Sequence, residues 1–83
     1  MTIEEIQEKA RKVLAEEFEV EEQVITPDAS IRDTLNLDSL DMVDIVVLAD
    51  KYFNVKITAK ELEVMNTFND FYLMLLQRQN QRQ

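Results

Sequence analysis

Residues 35–53 limit the possible folds more than any other stretch, because a strong helix start there precedes the longest unbroken apolar segment of the chain. Asp38 suits the N-cap, where a short carboxylate accepts hydrogen bonds from free N–H groups of the first turn. Asp41 follows three residues later, and both acids lie where the helix dipole favours negative charge. Ser39 takes the first helical position, so its hydroxyl is predicted to point out of the helix mouth. Asn54 is a suitable stop, since asparagine tolerates the left-handed conformation.

Apolar residues recur through this helix at spacings of three and four. The main stripe is predicted to comprise Leu40, Val43, Val46 and Val47, and it is widened by Ile45, Leu48, Ala49, Tyr52 and Phe53. A stripe this wide predicts a helix that packs against more than one neighbour, with Phe53 in the core.

Three further helices are predicted from capping patterns, in which a threonine precedes an acid by three residues. The pairs are Thr2 and Glu5, Thr58 and Glu61, and Thr67 and Asp70. They open a first helix over residues 3–18, a short third helix that reaches Met65, and a last helix that begins near Phe68. The apolar face of the first helix comprises Ile3, Ile6, Ala10, Val13, Leu14 and Phe18, and that of the last comprises Phe68, Phe71, Tyr72, Leu75 and Leu76.

The connections between these helices differ in length. Residues 19–37 form a long loop, since Pro27 forbids a helix through the residue before it. Ser30 and Asp33 are predicted to cap a single helical turn within this loop. Its spaced apolar residues are expected to pin it across the bundle; they are Val20, Val24, Ile25 and Ile31. Residues 55–57 are predicted to be an extended connector, because no second strand exists to pair with them.

These elements predict an all-α fold, a four-helix bundle with three longer helices, a short third helix and a long loop between helices 1 and 2. Residues 1–77 are expected to form one domain. Residues 78–83 are polar and lack an apolar face, so they are expected to fray.

The composition excludes several classes of function. The chain has no Cys, His or Gly, which removes the usual zinc ligands, thiol nucleophiles, the commonest general base and glycine-rich phosphate loops. Its formal net charge of −8 disfavours binding to nucleic acid and to anionic membrane surfaces, and suits partners with basic patches. No run is long enough to span a bilayer, and the N-terminus lacks the order of a secretory signal. We expect a soluble, cytoplasmic monomer.

Ser39 has two interpretations from the residues themselves. Serine is simply a good residue for the first turn of a helix. Alternatively, its hydroxyl is presented to another enzyme, which grips the acids that step by three beside it. Those acids are Asp38, Asp41 and Asp44, although scattered acids are more often just a solvated face. Met42 follows Asp41 and is expected to be exposed as an adaptable partner contact.

Catalysis by Ser39 itself is not expected. A serine nucleophile needs an adjacent base, and the chain has no His. The nearest lysines in sequence, Lys51 and Lys56, lie towards or beyond the far end of a helix about 20 Å long. A calcium loop is excluded as well, because it needs ligands at alternate residues and a central Gly. We therefore expect neither a catalytic nor a metal site.

The string Leu37-Asp38-Ser39-Leu40-Asp41, at a helix start after a long loop in an acidic chain of this length, resembles the acyl carrier proteins. The likeness extends over nearly the whole chain. It implies that Ser39 bears 4′-phosphopantetheine, which a phosphopantetheinyl transferase (holo-carrier synthase) takes from coenzyme A. The thiol of that group would carry acyl thioesters between enzymes of fatty acid or related lipid or polyketide biosynthesis. The implied partners are ketoacyl synthase, reductase, dehydratase and acyltransferase enzymes with basic docking patches.

The resemblance also implies two sets of residues around Ser39. The partner-recognition residues would be Asp38, Leu40, Asp41, Met42 and Asp44. The residues lining a pocket for the acyl chain would be Val46, Ala49, Ile57, Leu62 and Met65. Asn36 and Asn54 stand where the family usually has Gly, and both tolerate positive φ. Phe71 is bulkier than the residue usual there, so it is expected to shrink or reshape the pocket.

Two alternatives to an acyl carrier follow from the same residues. One is a carrier of aminoacyl cargo, D-alanyl or peptidyl, which uses the same kind of attachment site. The other is an acidic protein-interaction adaptor, in which Ser39 does no more than begin a helix.

Overall fold

The structure, a computed structural model, describes residues 1–80 and is built from helices. Three are long: α1 (Ile3–Phe18), α3 (Ser39–Phe53) and α5 (Phe68–Asn80). Two are short: α2 (Ile31–Leu35) and α4 (Ala59–Glu63), and a 3₁₀ turn (Glu22–Val24) lies in the long loop. The all-α prediction is confirmed, with the expected single turn of the long loop appearing as α2.

The helices begin where the sequence indicated. Capping boxes are present at Thr2, Asp38 and Thr58, and the side chain of Ser30 caps α2. The Thr67 hydroxyl likewise accepts from the backbone N–H of Asp70 at 3.2 Å. Such side-chain bonds satisfy N–H groups that have no partner inside the helix.

Helix ends take the left-handed conformation at three non-glycine residues. Asn36 and Asn54 have φ of 53° and 56°, as expected for asparagines in place of glycine. Glu19 also has a φ of 56°, directly after α1, which no residue pattern predicted.

The core lies where α1 packs against α5, and the long loop after α1 packs against it. Its largest fully buried side chains include Tyr72 and Phe68, whose rings stack with centroids 6.4 Å apart. Burial raises the pKa of Tyr72 above its usual value. The loop is held by its buried Ile25 and by a bond from the N–H of Ile31 to the carbonyl of Asn66 at 3.0 Å. Pinning is thus confirmed, although Val24 is exposed rather than anchored.

The buried face of α3 differs from the prediction. Its buried residues are Met42, Ile45, Leu48, Ala49 and Phe53. Of the predicted main stripe, Leu40, Val43 and Val47 face outward and only Val46 is half-buried. Both stripes have helical spacing, so the sequence of α3 does not decide between them; the neighbouring helices do.

The segment between α3 and α4, residues 54–58, is hereafter the connector. Val55 and Ile57 point into the core and Lys56 is exposed, as expected for an extended alternating segment. The connector leads into α4, which packs against α3 and ends at Glu63, earlier than the sequence indicated.

α5 continues past residue 77, where the domain was expected to end. Residues 78–80 are helical rather than frayed, because the side chains of Arg78 and Gln79 bond to the chain around the connector. Residues 81–83, the rest of the expected tail, lie outside the described residues. No helix within residues 1–80 is long and apolar enough to cross a membrane.

Candidate functional site

The mouth of α3 is held open by hydrogen bonds within its own first turn. Asp38 Oδ1 accepts from the backbone N–H of Leu40 at 3.0 Å and of Asp41 at 2.9 Å. Asp41 Oδ2 in turn accepts from the N–H of Asp38 at 3.2 Å. The predicted N-cap is confirmed, and its partner acid closes a full capping box. The two carboxylates stabilise the helix start without covering it.

Ser39 is exposed at this mouth, as predicted. Its hydroxyl makes no hydrogen bond to any residue from 1 to 80, so neither neighbouring carboxylate is positioned to remove its proton. A bulky group attached to Oγ would enter solvent rather than displace the core. The residues present therefore fit a covalent prosthetic group, and the site offers a hydroxyl that another protein must activate.

The end of α2 and the turn that follows it fix the backbone that leads to Ser39. Leu35, the last residue of α2, is buried in the core, and Asn36 turns the chain with positive φ. The N–H of Leu37 then donates to the carbonyl of Arg32 at 3.0 Å. This turn delivers Asp38 to the N-cap and leaves the following serine at the surface.

The predicted partner-recognition residues do not all share one surface. Leu40 is 76% exposed and Asp44 is also exposed, while Asp41 is half-buried. Met42, in contrast, is only 7% exposed and belongs to the core, so its expected exposure is wrong. The thioether lies on the same side of α3 as Ile45, three residues on, where the helix meets its neighbours.

The outward side of α3 carries two apolar residues that the site prediction missed, Val43 and Val47, beside Leu40, which it included. Leu40, Val43 and Val47 lie at spacings of three and four, and Val43 and Val47 are more than half exposed. We call these three residues together with Asp44 the outer face of α3. The acids are a partial signal: Asp44 lies three residues before Val47 on the outward side and favours exposure of that side, although it does not by itself decide which stripe is buried.

The residues predicted to line a pocket lie at different depths. Ala49 and Leu62 are 1% and 3% exposed, so both are buried in the core. Val46 and Ile57 border a groove of about 270 Å³ between α3 and the connector, together with Val47, Asp50 and Lys56. Met65 is half-buried after the end of α4. Two of the five thus share an open groove, which we call the seam, and two are in the packed core.

No group of three or more carboxylates within residues 1–80 is arranged to hold a metal ion. The acids beside Ser39 are used in helix capping or face solvent. The chemistry available at the mouth of α3 is therefore that of a free hydroxyl in an acidic surrounding.

Comparison with known proteins gives a consistent result. A protein-family model described as the phosphopantetheine attachment site matches residues 8–75. The acyl carrier protein of Petrotoga mobilis is 34% identical over 80 residues, which cover 96% of this chain and 94% of that protein. That of Thermosynechococcus vestitus is 35% identical over 66 residues, covering 80% and 82%. That of Syntrophobacter fumaroxidans is 32% identical over 72 residues, covering 87% and 89%.

Proposed function

The chain belongs to the acyl carrier protein family, and we propose that Ser39 is the residue on which it bears 4′-phosphopantetheine. When bound, this group supplies a thiol that holds acyl groups as thioesters. The chain is accordingly a carrier and not a catalyst. The observation that supports Ser39 is its exposed hydroxyl at the mouth of α3, which has no hydrogen-bond partner among residues 1–80 and lies inside the matched residues 8–75.

The residues around Ser39 present the hydroxyl and leave its activation to the modifying enzyme. Asp38 and Asp41 spend their carboxylates on backbone N–H groups, so they hold the first turn rigid. With no His in the chain, the base that removes the Oγ proton must come from a phosphopantetheinyl transferase. The Oγ would take the phosphopantetheine phosphate as the pyrophosphate bond of coenzyme A breaks and adenosine 3′,5′-bisphosphate leaves, and the resulting phosphodiester would lie beside a helix N-terminus, whose dipole favours negative charge.

Carriers act by meeting other enzymes, and we propose that the outer face of α3 is the surface they contact. Its apolar part, Leu40 with Val43 and Val47, is flanked by the acid Asp44. A partner with a basic rim around an apolar contact would complement it. Met42 has no part in this surface because it is buried. The partners proposed are the transferase and, by family, synthase, reductase, dehydratase and acyltransferase enzymes in the cytoplasm.

We further propose fatty acid or related lipid or polyketide synthesis as the setting, with an acyl chain as cargo. The seam between α3 and the connector is the route by which such a chain would reach the interior. Because Ala49 and Leu62 are tightly packed, the chain enters only if the connector moves away from α3.

Loading with the prosthetic group tests the assignment of Ser39. The purified chain is incubated with coenzyme A and a broad-specificity phosphopantetheinyl transferase, and its intact mass is measured. We expect the mass gain of one phosphopantetheine, and none in Ser39→Ala. The chain has one other serine, so Ser30→Ala is the matched control and should load as the parent does.

Circular dichroism would show that Ser39→Ala keeps the helices of the parent. A mass gain that persists in Ser39→Ala, or no gain in the parent, would overturn the proposal. The loaded chain is then extracted from cells in acid, and its mass shows whether the thiol carries an acyl or an aminoacyl group.

A further inference from the structure

Side chains in the last turn of α5 form hydrogen bonds with backbone carbonyls at the end of α3 and in the connector. The Gln79 amide donates to the carbonyl of Phe53, in the last turn of α3, at 3.1 Å. The Arg78 guanidinium donates through Nη1 to the carbonyl of Lys56, in the connector, at 3.0 Å. The last carbonyls of a helix and those of an extended connector have no helical partner, so these side chains satisfy them.

Arg78 also reaches the first turn of α4. Its Nη1 lies 3.5 Å from Glu61 Oε1, and its Nη2 bonds to Glu61 Oε2. The same carboxylate accepts from the N–H of Thr58 at 3.0 Å, within the α4 capping box. The Arg78 bond, followed by the Thr58 bonds, lowers the pKa of Glu61. One guanidinium thus ties α5 to the connector and to the start of α4.

The segment held in this way is weak by itself. α4 has five residues, too few for an isolated helix to persist. The connector has no regular secondary structure and is fixed by the side chains of Val55 and Ile57 in the core. On its outer side, Ile57 and Val46 both border the seam. The bundle would therefore open most easily here if the bonds from α5 were released.

We propose that Arg78 is a positioning residue that keeps the connector closed against α3, so that its release opens the seam to the cargo. The cargo part of this inference rests on the proposed function. The closed state excludes the chain because the core is packed, and cargo binds the open state. Removal of Arg78 therefore raises the open fraction and improves apparent cargo binding in the interior.

Amide hydrogen exchange tests the closure on the chain without its prosthetic group. The N–H of Leu62 donates to the carbonyl of Thr58 at 3.1 Å and reports on α4. The N–H of Ile31 donates to Asn66 and that of Phe68 to Ala29, and both report on the opposite end of the bundle. In Arg78→Gln we expect exchange at Leu62 to accelerate about tenfold, with the other two amides changed less than about twofold.

Three variants separate the guanidinium from charge and folding effects. Lys12→Gln removes the same charge from the exposed Glu8–Lys12 pair and should leave exchange at Leu62 unchanged. Arg78→Lys keeps the charge without the fork, so its acceleration should be intermediate. Glu61→Gln retains a residue able to close the capping box but loses the ion pair, and it should add little to Arg78→Gln in the double variant.

Equal acceleration at all three amides would overturn the proposal, because it would mean that Arg78 stabilises the fold as a whole. Unchanged exchange at Leu62 would overturn it too. These results need no prosthetic group, so they stand whether or not Ser39 accepts one.

The cargo part is tested on the chain loaded with an octanoyl thioester. The rate at which hydroxylamine cleaves the thioester is compared between the parent and Arg78→Gln. We expect slower cleavage in Arg78→Gln, since the interior shelters the chain more of the time. Equal or faster cleavage, with exchange at Leu62 accelerated, would overturn the seam as the cargo route.

Discussion

The two ends of α3 are built in opposite ways. At the mouth, every side-chain hydrogen bond joins residues two or three apart, and Ser39 and Leu40 remain exposed. At the far end, the carbonyl of Phe53 accepts from Gln79 of α5, 26 residues away, and Arg78 of α5 bonds to the connector and to α4, while Phe53 itself is buried. Bonds among its own residues stabilise the first turn of α3, so no other element has to cover it, and the hydroxyl stays accessible to an enzyme. The far end depends on the rest of the fold.

This difference between the two ends of α3 suits a carrier protein. A modifying enzyme needs a hydroxyl with a fixed position and no cover, and a local capping box provides both. Cargo needs an interior that is closed but can open, and long-range bonds to a short helix and a connector provide that. The helix between them is about 21 Å long by its 15 residues, so the two ends can be altered separately.

The largest expected effect is at the far end, in Phe53→Ala. Its ring is 5% exposed and Lys9 Nζ lies 5.5 Å from its centroid, so truncation leaves a cavity in the core. The free energy of unfolding should fall by about 3–5 kcal/mol, a large part of the total for a small domain. Urea denaturation measures it.

Phe53→Leu is the matched control, because it keeps most of the volume and should cost less than about 1.5 kcal/mol. A melting temperature for Phe53→Ala within a degree or two of the parent would contradict the dependence of this end on tertiary packing.

A smaller effect is expected at the mouth, in Asp38→Ala. Loss of the N-cap leaves the N–H groups of Leu40 and Asp41 without their side-chain acceptor, which costs about 1 kcal/mol. Because these bonds are local, faster amide exchange should be confined to the first turn of α3. Asp38→Ser keeps a capping oxygen and should behave almost as the parent does. A loss as large as that of Phe53→Ala would show that the mouth also depends on distant contacts.

The same contrast explains what could be predicted from the sequence. The capping pairs, such as Asp38 with Asp41, depend on residues three apart, so the helix starts and the exposure of Ser39 were predicted correctly. The buried side of α3 was predicted only in part: Ile45, Leu48, Ala49 and Phe53 are buried as predicted, but Met42 is buried while Leu40, Val43 and Val47 are exposed. Most of this helix is apolar, and only the position of its neighbours selects which stripe is covered.

The prediction that residues 78–80 fray was wrong for a related physical reason. Residues 78–80 have no apolar period, so nothing in the local pattern indicates that this part of the chain is held. Arg78 and Gln79 are nevertheless fixed by pairing their polar groups with carbonyls of Lys56 and Phe53. Such pairs cannot be found from periodicity, because each partner lies more than twenty residues away. The bonds that hold the end of α5 therefore become apparent only in the folded chain.

The smallest effect on stability, and the most specific on function, is expected for Asp44→Lys. Asp44 is exposed and makes no hydrogen bond or ion pair with residues 1–80, so unfolding should change by less than about 0.5 kcal/mol. Asp38 and Asp41 are poorer choices, since reversal of their charge would also break the capping box. In 0.1 M salt, kcat/KM for loading of Ser39 should fall several-fold, mainly through slower association.

Asp50→Lys provides the matched control on the same helix. At 1.5 Å per residue, Asp44 lies about 7.5 Å along the axis from Ser39 and Asp50 about 16 Å, on either side of the screening length of about 10 Å in 0.1 M salt. The slowing should therefore be clear for Asp44→Lys and slight for Asp50→Lys, and it should shrink as salt is added. If both variants slow loading equally, the transferase responds to net charge, and the mouth of α3 has no recognition surface of its own. If only Asp44→Lys does so, partner contact belongs to the locally built end, and cargo control to the end that the whole fold holds together.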